Sequence, residues 1–92
     1  MTASAGAATQ IYSPQFDRTF FSLPLDMQRR LVNRIDVLGC NLSGPHYRMQ
    51  GVDAFRLRVG DFRIVYQFNL QKNELYLIAV GHRREVYKSP LN

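Results

Sequence analysis

The sequence contains a single cysteine, Cys40, among its 92 residues. An internal disulfide is therefore impossible, and a zinc site cannot be built on cysteine ligands. Cys40 follows the apolar end of a predicted helix and has no nucleophile signature around it, so we expect a small buried residue there. A Ser/His/Asp arrangement, a glycine-rich phosphate loop and metal-ligand spacing are also missing. We expect neither a cofactor nor a metal.

Long apolar runs are missing as well. The sequence has no run of about 18 apolar residues, the length that crosses a bilayer. Residues 1–10 (MTASAGAATQ) lack the basic start and the apolar run of a signal peptide. We therefore expect a cytoplasmic protein with no membrane partner. Its length predicts one domain over residues 11–92, preceded by a flexible tail over residues 1–10.

Acidic residues are scarce. Seven Asp and Glu stand against twelve Lys and Arg, and the formal net charge is +5. Ten of the twelve basic residues are arginine, whose planar guanidinium fits phosphate oxygens and stacks on bases. This balance suits a nucleic acid, an acidic protein partner, or simply a basic solvated surface.

The first half of the chain has the spacing of two helices. Ser13–Pro14 is a capping hydroxyl followed by proline, which is typical of a helix start, and a short strand over residues 10–13 precedes it. Pro24 interrupts this segment and begins a second helix, which Gly39 is well suited to end. The apolar positions of that helix recur every three or four residues, at Met27, Leu31, Ile35 and Leu38. Residues 41–51 have no periodicity and are predicted to form a loop.

From Ala54 onward the apolar period changes to two, which predicts strands over residues 55–59, 62–68 and 74–80. Gly60–Asp61 fits a tight hairpin turn that needs a positive φ at its first residue. The last strand is apolar at nearly every position, so we expect it to be buried on both faces and to be ended by Gly81. The predicted fold is α+β, with the element order β-α-α-β-β-β. An N-terminal strand and a helical hairpin pack on a small antiparallel sheet.

Strand alternation places three arginines on one face of this sheet. Arg56 and Arg58 alternate with apolar residues, so both project away from the helices. Arg63 alternates with Phe62 and Ile64 in the next strand and takes the same side. Like charges this close repel each other, and a bound anion would remove the conflict. The alternative is that each arginine extends over the sheet and pairs with Asp53, Asp61 or Glu85.

Two motifs resemble a known family. Residues 55–66 (FRLRVGDFRIVY) and 80–87 (VGHRREVY) look like the C-terminal half of RelE-type toxins of the RelE/ParE toxin–antitoxin superfamily. The resemblance covers roughly residues 11–88, and the second motif is the more specific to the RelE branch. It implies an mRNA interferase that cleaves mRNA in the ribosomal A site and is neutralised by a RelB-like antitoxin. Operator DNA would be bound only indirectly, through the antitoxin.

The resemblance also implies a site. The basic and aromatic positions of the family motif correspond here to Arg56, Arg58, Arg63, Arg83 and Tyr87. In such a site the 2′-hydroxyl of the RNA attacks the adjacent phosphate without a metal ion. Arg56 and Arg63 would stabilise the developing charge, Arg83 would lie near the leaving 5′-oxygen, and Tyr87 would hold the nucleotide.

The general base of this reaction is open. RelE toxins often have lysine at the position of Arg58, and arginine hardly ever loses its proton. His82 is the nearest side chain that titrates near neutrality. His46, in the preceding loop, is a second candidate.

Two other functions fit the same fold. One is a ParE-like poison of DNA gyrase, which acts by binding a protein. The other is an inactive toxin that serves as a co-repressor together with its antitoxin. A stand-alone RNA-binding domain is disfavoured because the sheet face has few aromatic residues for base stacking.

Overall fold

The computed structural model describes residues 6–83, which form two helices and five strands. In chain order these are β1 (Thr9–Tyr12), α1 (Pro14–Phe20), α2 (Leu25–Gly39), β2 (Tyr47–Arg48), β3 (Phe55–Val59), β4 (Phe62–Asn69) and β5 (Glu74–His82). The strands form one sheet in the order β1-β5-β4-β3-β2. Both helices pack on one face of this sheet, which confirms the predicted α+β class.

The sheet differs from the prediction at both edges. It is mixed, because β1 runs parallel to β5, while the other pairs are antiparallel. The loop predicted over residues 41–51 contributes β2 to the opposite edge. β1 begins at Thr9, so the end of the segment predicted as a tail belongs to the sheet. Ala8 is buried there because it fits beneath the end of α2, where its N–H donates to the Gly39 carbonyl at 3.0 Å.

The apolar core lies between the helices and one face of the sheet, which we call the core face. Phe16 and Phe20 of α1 stack with their ring centroids 5.6 Å apart. Leu31 and Ile35 of α2 are fully buried. The sheet contributes Val59, Ile64, Tyr66, Leu75, Leu77 and Val80. The predicted alternation of β3 and β4 is thus confirmed, because the apolar residues face the helices.

A β-bulge changes the alternation of β5. Val65 pairs with Ala79 and Tyr66 pairs with Leu77, which leaves Ile78 as an extra residue on β5. The core-facing positions therefore switch from Leu77 to Val80. The sequence prediction that Gly81 ends the strand is wrong, because β4 supplies ladder partners as far as His82.

The bulge is joined to the start of α1 by Ser13. Its hydroxyl accepts from the Phe16 N–H (3.0 Å) and donates to the Ile78 carbonyl (2.5 Å). Its own N–H donates to the Leu77 carbonyl at 3.0 Å. The predicted helix start is confirmed, and the same residue fixes α1 to β5.

The prediction that Cys40 is buried is wrong. Cys40 follows the end of α2 and is exposed. Gly39 is the residue that faces inward at this point, against Ala8 and Gln10. Because the preceding residue occupies the inner side of the last turn, Cys40 faces solvent. Neither helix within residues 6–83 has the length and apolar character needed to cross a membrane.

Candidate active site

Three predicted site arginines lie on the side of the sheet turned away from the helices, which we call the arginine face (Arg56, Arg58 and Arg63). The register makes Arg58 the direct cross-strand partner of Arg63. Arg56 lies two residues before Arg58 on β3, opposite Val65. Arg56 and Arg58 are exposed, and Arg63 is half-buried. Three cations therefore share one small area, as strand alternation predicts.

The arginine face is not neutralised by carboxylates within residues 6–83. Asp53 binds Arg48, with 2.8 Å between Nη1 and Oδ1. Over the same residues, no carboxylate pairs with Arg56, Arg58 or Arg63. The alternative of pairing with Asp53 or Asp61 is thus not observed, and Glu85 lies outside the described residues.

The Arg63 side chain is held by backbone carbonyls. Its Nη1 donates to the Gly60 carbonyl and to the Phe62 carbonyl, both at 3.1 Å. Gly60 has the positive φ of 60° that the predicted hairpin turn requires. The turn thus orients the guanidinium, and the remaining N–H groups of Arg63 stay available to a ligand.

Arg83 lies beside the same turn. Its backbone N–H donates to the Asp61 carbonyl at 2.8 Å, and the residue is exposed. Gly81 is the partner of Arg63 on β5, so the alternation of the strand, continued to Arg83, puts this arginine on the arginine face. Tyr87, the remaining predicted site residue of the C-terminal motif, lies outside the described residues, as does Arg84.

The structure does not bring His82 to this face. His82 is the cross-strand partner of Phe62, whose side chain packs on the core. The two rings are in contact, with centroids 6.1 Å apart. Since direct partners in a ladder share a face, His82 lies on the core face, opposite the three arginines.

His46 is also engaged on the core side. Its Nδ1 lies 2.7 Å from the Tyr66 hydroxyl, and its Nε2 lies 2.7 Å from the Leu42 carbonyl. A carbonyl can only accept, so Nε2 carries a proton, and in the tautomer with its one proton there Nδ1 accepts from the Tyr66 hydroxyl. The imidazole stacks on Phe68 with 4.1 Å between centroids. Burial raises the pKa of Tyr66 to about 12.

Sequence reasoning missed Tyr47, because β2 was predicted as loop. Tyr47 is the cross-strand partner of Arg56, so it lies on the arginine face, and it is 71% exposed. β2 has only two residues, which is too few to give an alternating signal in the sequence. The site therefore includes an aromatic ring at the edge of the sheet.

Small apolar residues lie beside the arginines on the same face. Val65 and Ala79 are buried and pack with Ala54, Met49 and Ile78. Because these apolar residues are covered, the exposed part of the face is formed by Arg56 and Arg58, whose guanidinium groups suit a ligand that carries phosphate. Residues 6–83 contain no cluster of three His, Cys, Asp or Glu side chains arranged to hold a metal ion.

Comparisons with known proteins agree on the fold. A family model described as the ParE toxin of type II toxin–antitoxin systems, parDE, matches residues 11–87. The structure is similar to the RelBE2 toxin–antitoxin complex of Mycobacterium tuberculosis (TM-score 0.74, 16% identity, 89% of this chain and 98% of that chain). It is also similar to a free mutant of the Escherichia coli toxin RelE (TM-score 0.73, 18% identity, 89% and 92%).

An archaeal structure is similar too, the RelE–RelB complex of Pyrococcus horikoshii (TM-score 0.69, 21% identity, 84% of this chain and 96% of that chain). At these identities the likeness establishes the fold. None of the curated protein sequences matches this chain.

Proposed function

This chain belongs to the ParE toxin family of type II toxin–antitoxin systems, within the RelE/ParE superfamily, and from that premise we propose that it is a ribosome-dependent mRNA interferase. The observation that carries the proposal is the direct pairing of Arg58 with Arg63, with Arg56 alongside. Two guanidinium groups opposite each other repel, and an RNA phosphate between them removes the repulsion.

The reaction needs no nucleophile from the protein. The 2′-oxygen of the RNA attacks the adjacent phosphorus and the bond to the 5′-oxygen breaks, which leaves a 2′,3′-cyclic phosphate and a 5′-hydroxyl end. Arg56 and Arg63 stabilise the negative charge that develops on the phosphoryl oxygens. Arg83 lies beside the leaving 5′-oxygen, and Tyr87 holds the target nucleotide. In this proposal no metal ion takes part in the bond-breaking step.

Proton transfer is the distinctive feature of this site. Arg58 stands where a lysine often serves in RelE toxins, and an arginine guanidinium hardly ever releases its proton. Both histidines of the chain face the core side. In this proposal the proton of the 2′-hydroxyl therefore passes to solvent water, and water supplies the proton that the leaving 5′-oxygen takes up. The arginines contribute through their charge.

The partner of the toxin is a RelB-like antitoxin. The relatives that support this proposal include toxin–antitoxin complexes from a bacterium and an archaeon. The antitoxin neutralises the toxin in the cytoplasm and carries the pair to operator DNA. The net charge of +5 suits an acidic antitoxin segment as well as RNA.

Programmed ribosomes test the proposal. The purified full-length chain is added to ribosomes carrying a defined mRNA, and the 5′-hydroxyl ends are mapped. Cleavage within the A-site codon is expected, and Arg63→Ala abolishes it. Arg29→Ala is the matched control, since Arg29 is an exposed arginine of α2, away from the arginine face. A chain that leaves the mRNA intact contradicts the proposal.

A second candidate is poisoning of DNA gyrase, and the observation that favours it is the match of residues 11–87 to the ParE model. In that case the chain traps gyrase–DNA complexes and leaves programmed mRNA uncut. A third outcome, neither cleavage nor trapping, with normal growth on induction, points to an inactive toxin kept as a co-repressor with its antitoxin.

A further inference from the structure

Tyr47 lies between His46 and Arg48, whose side chains are both held on the core side of the sheet. His46 is hydrogen-bonded through both ring nitrogens and stacks on Phe68. Arg48 lies over the ring of Phe55, 4.7 Å from its centroid. With both neighbours directed to the core side, the alternation of the strand directs Tyr47 to the arginine face.

Packing does not account for the ring of Tyr47. The side chain has no hydrogen bond and no ring contact with any other residue from 6 to 83, and the residue is 71% exposed. The segment around it is nevertheless well anchored, because Met49 N–H also donates to the Ala54 carbonyl at 2.8 Å. A rigid strand thus presents an aromatic ring to solvent with little conformational freedom to lose on binding.

The register gives this ring a charged neighbour. Tyr47 and Arg56 are direct cross-strand partners, so their Cβ atoms are about 4.5–5.5 Å apart. The row continues across the sheet from Arg56 to Val65 and Ala79. Val65 and Ala79 are covered, so Tyr47 and Arg56 are the exposed part of this row, and together they form a site for a planar, negatively charged ligand.

We propose that Tyr47 and Arg56 form a nucleobase-binding subsite, in which an unpaired base of the RNA stacks on the Tyr47 ring and its phosphate is held by Arg56. The subsite rests on the proposed function, since it takes the RNA strand that the arginine face cleaves. Stacking on an aromatic side chain tolerates any base and strengthens with the size of the ring system. The subsite therefore favours purines over pyrimidines at one position next to the cut.

The test compares wild type with Tyr47→Ala, Tyr47→Phe and Phe21→Ala. Phe21 is an equally exposed aromatic residue (69%) that directly follows α1, so its variant controls for loss of exposed ring surface. We expect Tyr47→Ala to weaken binding of a 2′-O-methyl RNA hexamer by about 5- to 100-fold. Tyr47→Phe keeps the ring face and stays within about threefold of wild type, as does Phe21→Ala.

Cleavage on programmed ribosomes provides the second readout. Tyr47→Ala is expected to raise KM more than it lowers kcat and to reduce the preference for purine codons. If Tyr47→Ala binds the hexamer and cleaves mRNA as well as wild type does, the subsite is wrong, while the proposed nuclease activity is unaffected. A Tyr47→Phe variant as impaired as Tyr47→Ala would overturn the subsite too, since the hydroxyl and not the ring face would then act.

Failure of the proposed function has a different signature. If the wild-type chain does not cut mRNA, the interferase proposal is wrong, and the uncleavable hexamer still tests the subsite by itself. A loss of hexamer affinity confined to Tyr47→Ala then supports a base-binding surface without catalysis. No hexamer binding by wild type overturns the subsite. Urea denaturation of each variant verifies that this exposed substitution leaves the fold intact.

Discussion

Arg58 and Arg63 are direct cross-strand partners next to the turn of the β3–β4 hairpin, and both side chains lie on the same side of the sheet. Like charges opposite each other in a ladder destabilise it by roughly 0.2–1 kcal/mol. Within residues 6–83 no carboxylate offsets this repulsion. The pair therefore has a cost in stability that a phosphate ligand would reverse.

Replacing one member of this pair is expected to separate stability from activity. Arg58→Gln removes a charge and keeps a long polar side chain. The free energy of unfolding, measured in urea, should hold level or rise by about 0.2–1 kcal/mol. Cleavage of mRNA on programmed ribosomes should fall by about 100-fold, because a preorganised cation is lost from the transition state.

Arg29→Gln is the matched control for this prediction. Arg29 is also exposed, but it lies on α2 and away from the arginine face. Both its stability and its cleavage rate should stay within experimental error of wild type. A clear drop in the stability of Arg58→Gln would contradict the argument, because it would mean that Arg58 has a structural partner.

The position of His82 predicts the pH dependence of cleavage. His82 pairs with Phe62 on the core face, so it cannot accept a proton from RNA bound at the arginine face. His82→Gln should therefore leave the pH–rate profile between about pH 6 and 8 unchanged in shape, with rates within about threefold of wild type. An ionisation near neutrality that disappears in His82→Gln would identify this histidine as the base and refute the prediction.

Period-two alternation was enough to predict the arginine face. Phe55, Leu57 and Val59 had to face the helices, and that requirement alone oriented Arg56 and Arg58. The turn at Gly60 was predictable because this tight hairpin turn needs a residue with a positive φ, which glycine adopts readily. These features are local, so a pattern read along the sequence contains them.

Features that depend on pairing were not predictable in the same way. The bulge at Ile78 exists only in the register between β4 and β5, and it keeps His82 on the core face. The strand β2 has two residues, which is too few for a periodic signal, so the exposed position of the Tyr47 ring was not predictable. Neither feature leaves a mark in composition or spacing, because each is defined by a distant partner.

Ser13 should be among the most important polar residues for stability. Its hydroxyl caps α1 through the Phe16 N–H and binds the Ile78 carbonyl at the bulge. Ser13→Ala removes both hydrogen bonds and should lower the free energy of unfolding by about 2 kcal/mol. Ser13→Thr retains the hydroxyl and should recover most of this loss.

Ser22→Ala is the control for the loss of a serine hydroxyl. Its Oγ donates to the exposed Thr19 carbonyl (2.6 Å), which water can replace. The expected change is below about 0.5 kcal/mol. Equal effects of Ser13→Ala and Ser22→Ala would show that the contact with the bulge contributes nothing.

The hydroxyl of Tyr66 is expected to contribute to stability in a pH-dependent way. Tyr66 is 2% exposed, and its hydroxyl is hydrogen-bonded to His46 Nδ1. Tyr66→Phe leaves that nitrogen without its donor and should cost about 1–2 kcal/mol at pH 8. The loss is measured as the difference in unfolding free energy between the two proteins.

The difference in unfolding free energy between wild type and Tyr66→Phe should vanish at alkaline pH. Burial raises the pKa of Tyr66 in the folded protein to about 12, whereas an exposed tyrosine in the unfolded chain titrates near pH 10. Between these values the unfolded chain has released its proton and the folded protein has not, so unfolding becomes more favourable as pH rises. Wild type should lose about 1–2 kcal/mol relative to Tyr66→Phe between about pH 10 and 12. A gap between the two proteins that stays constant over this range would mean that Tyr66 titrates normally and that its hydroxyl is open to water.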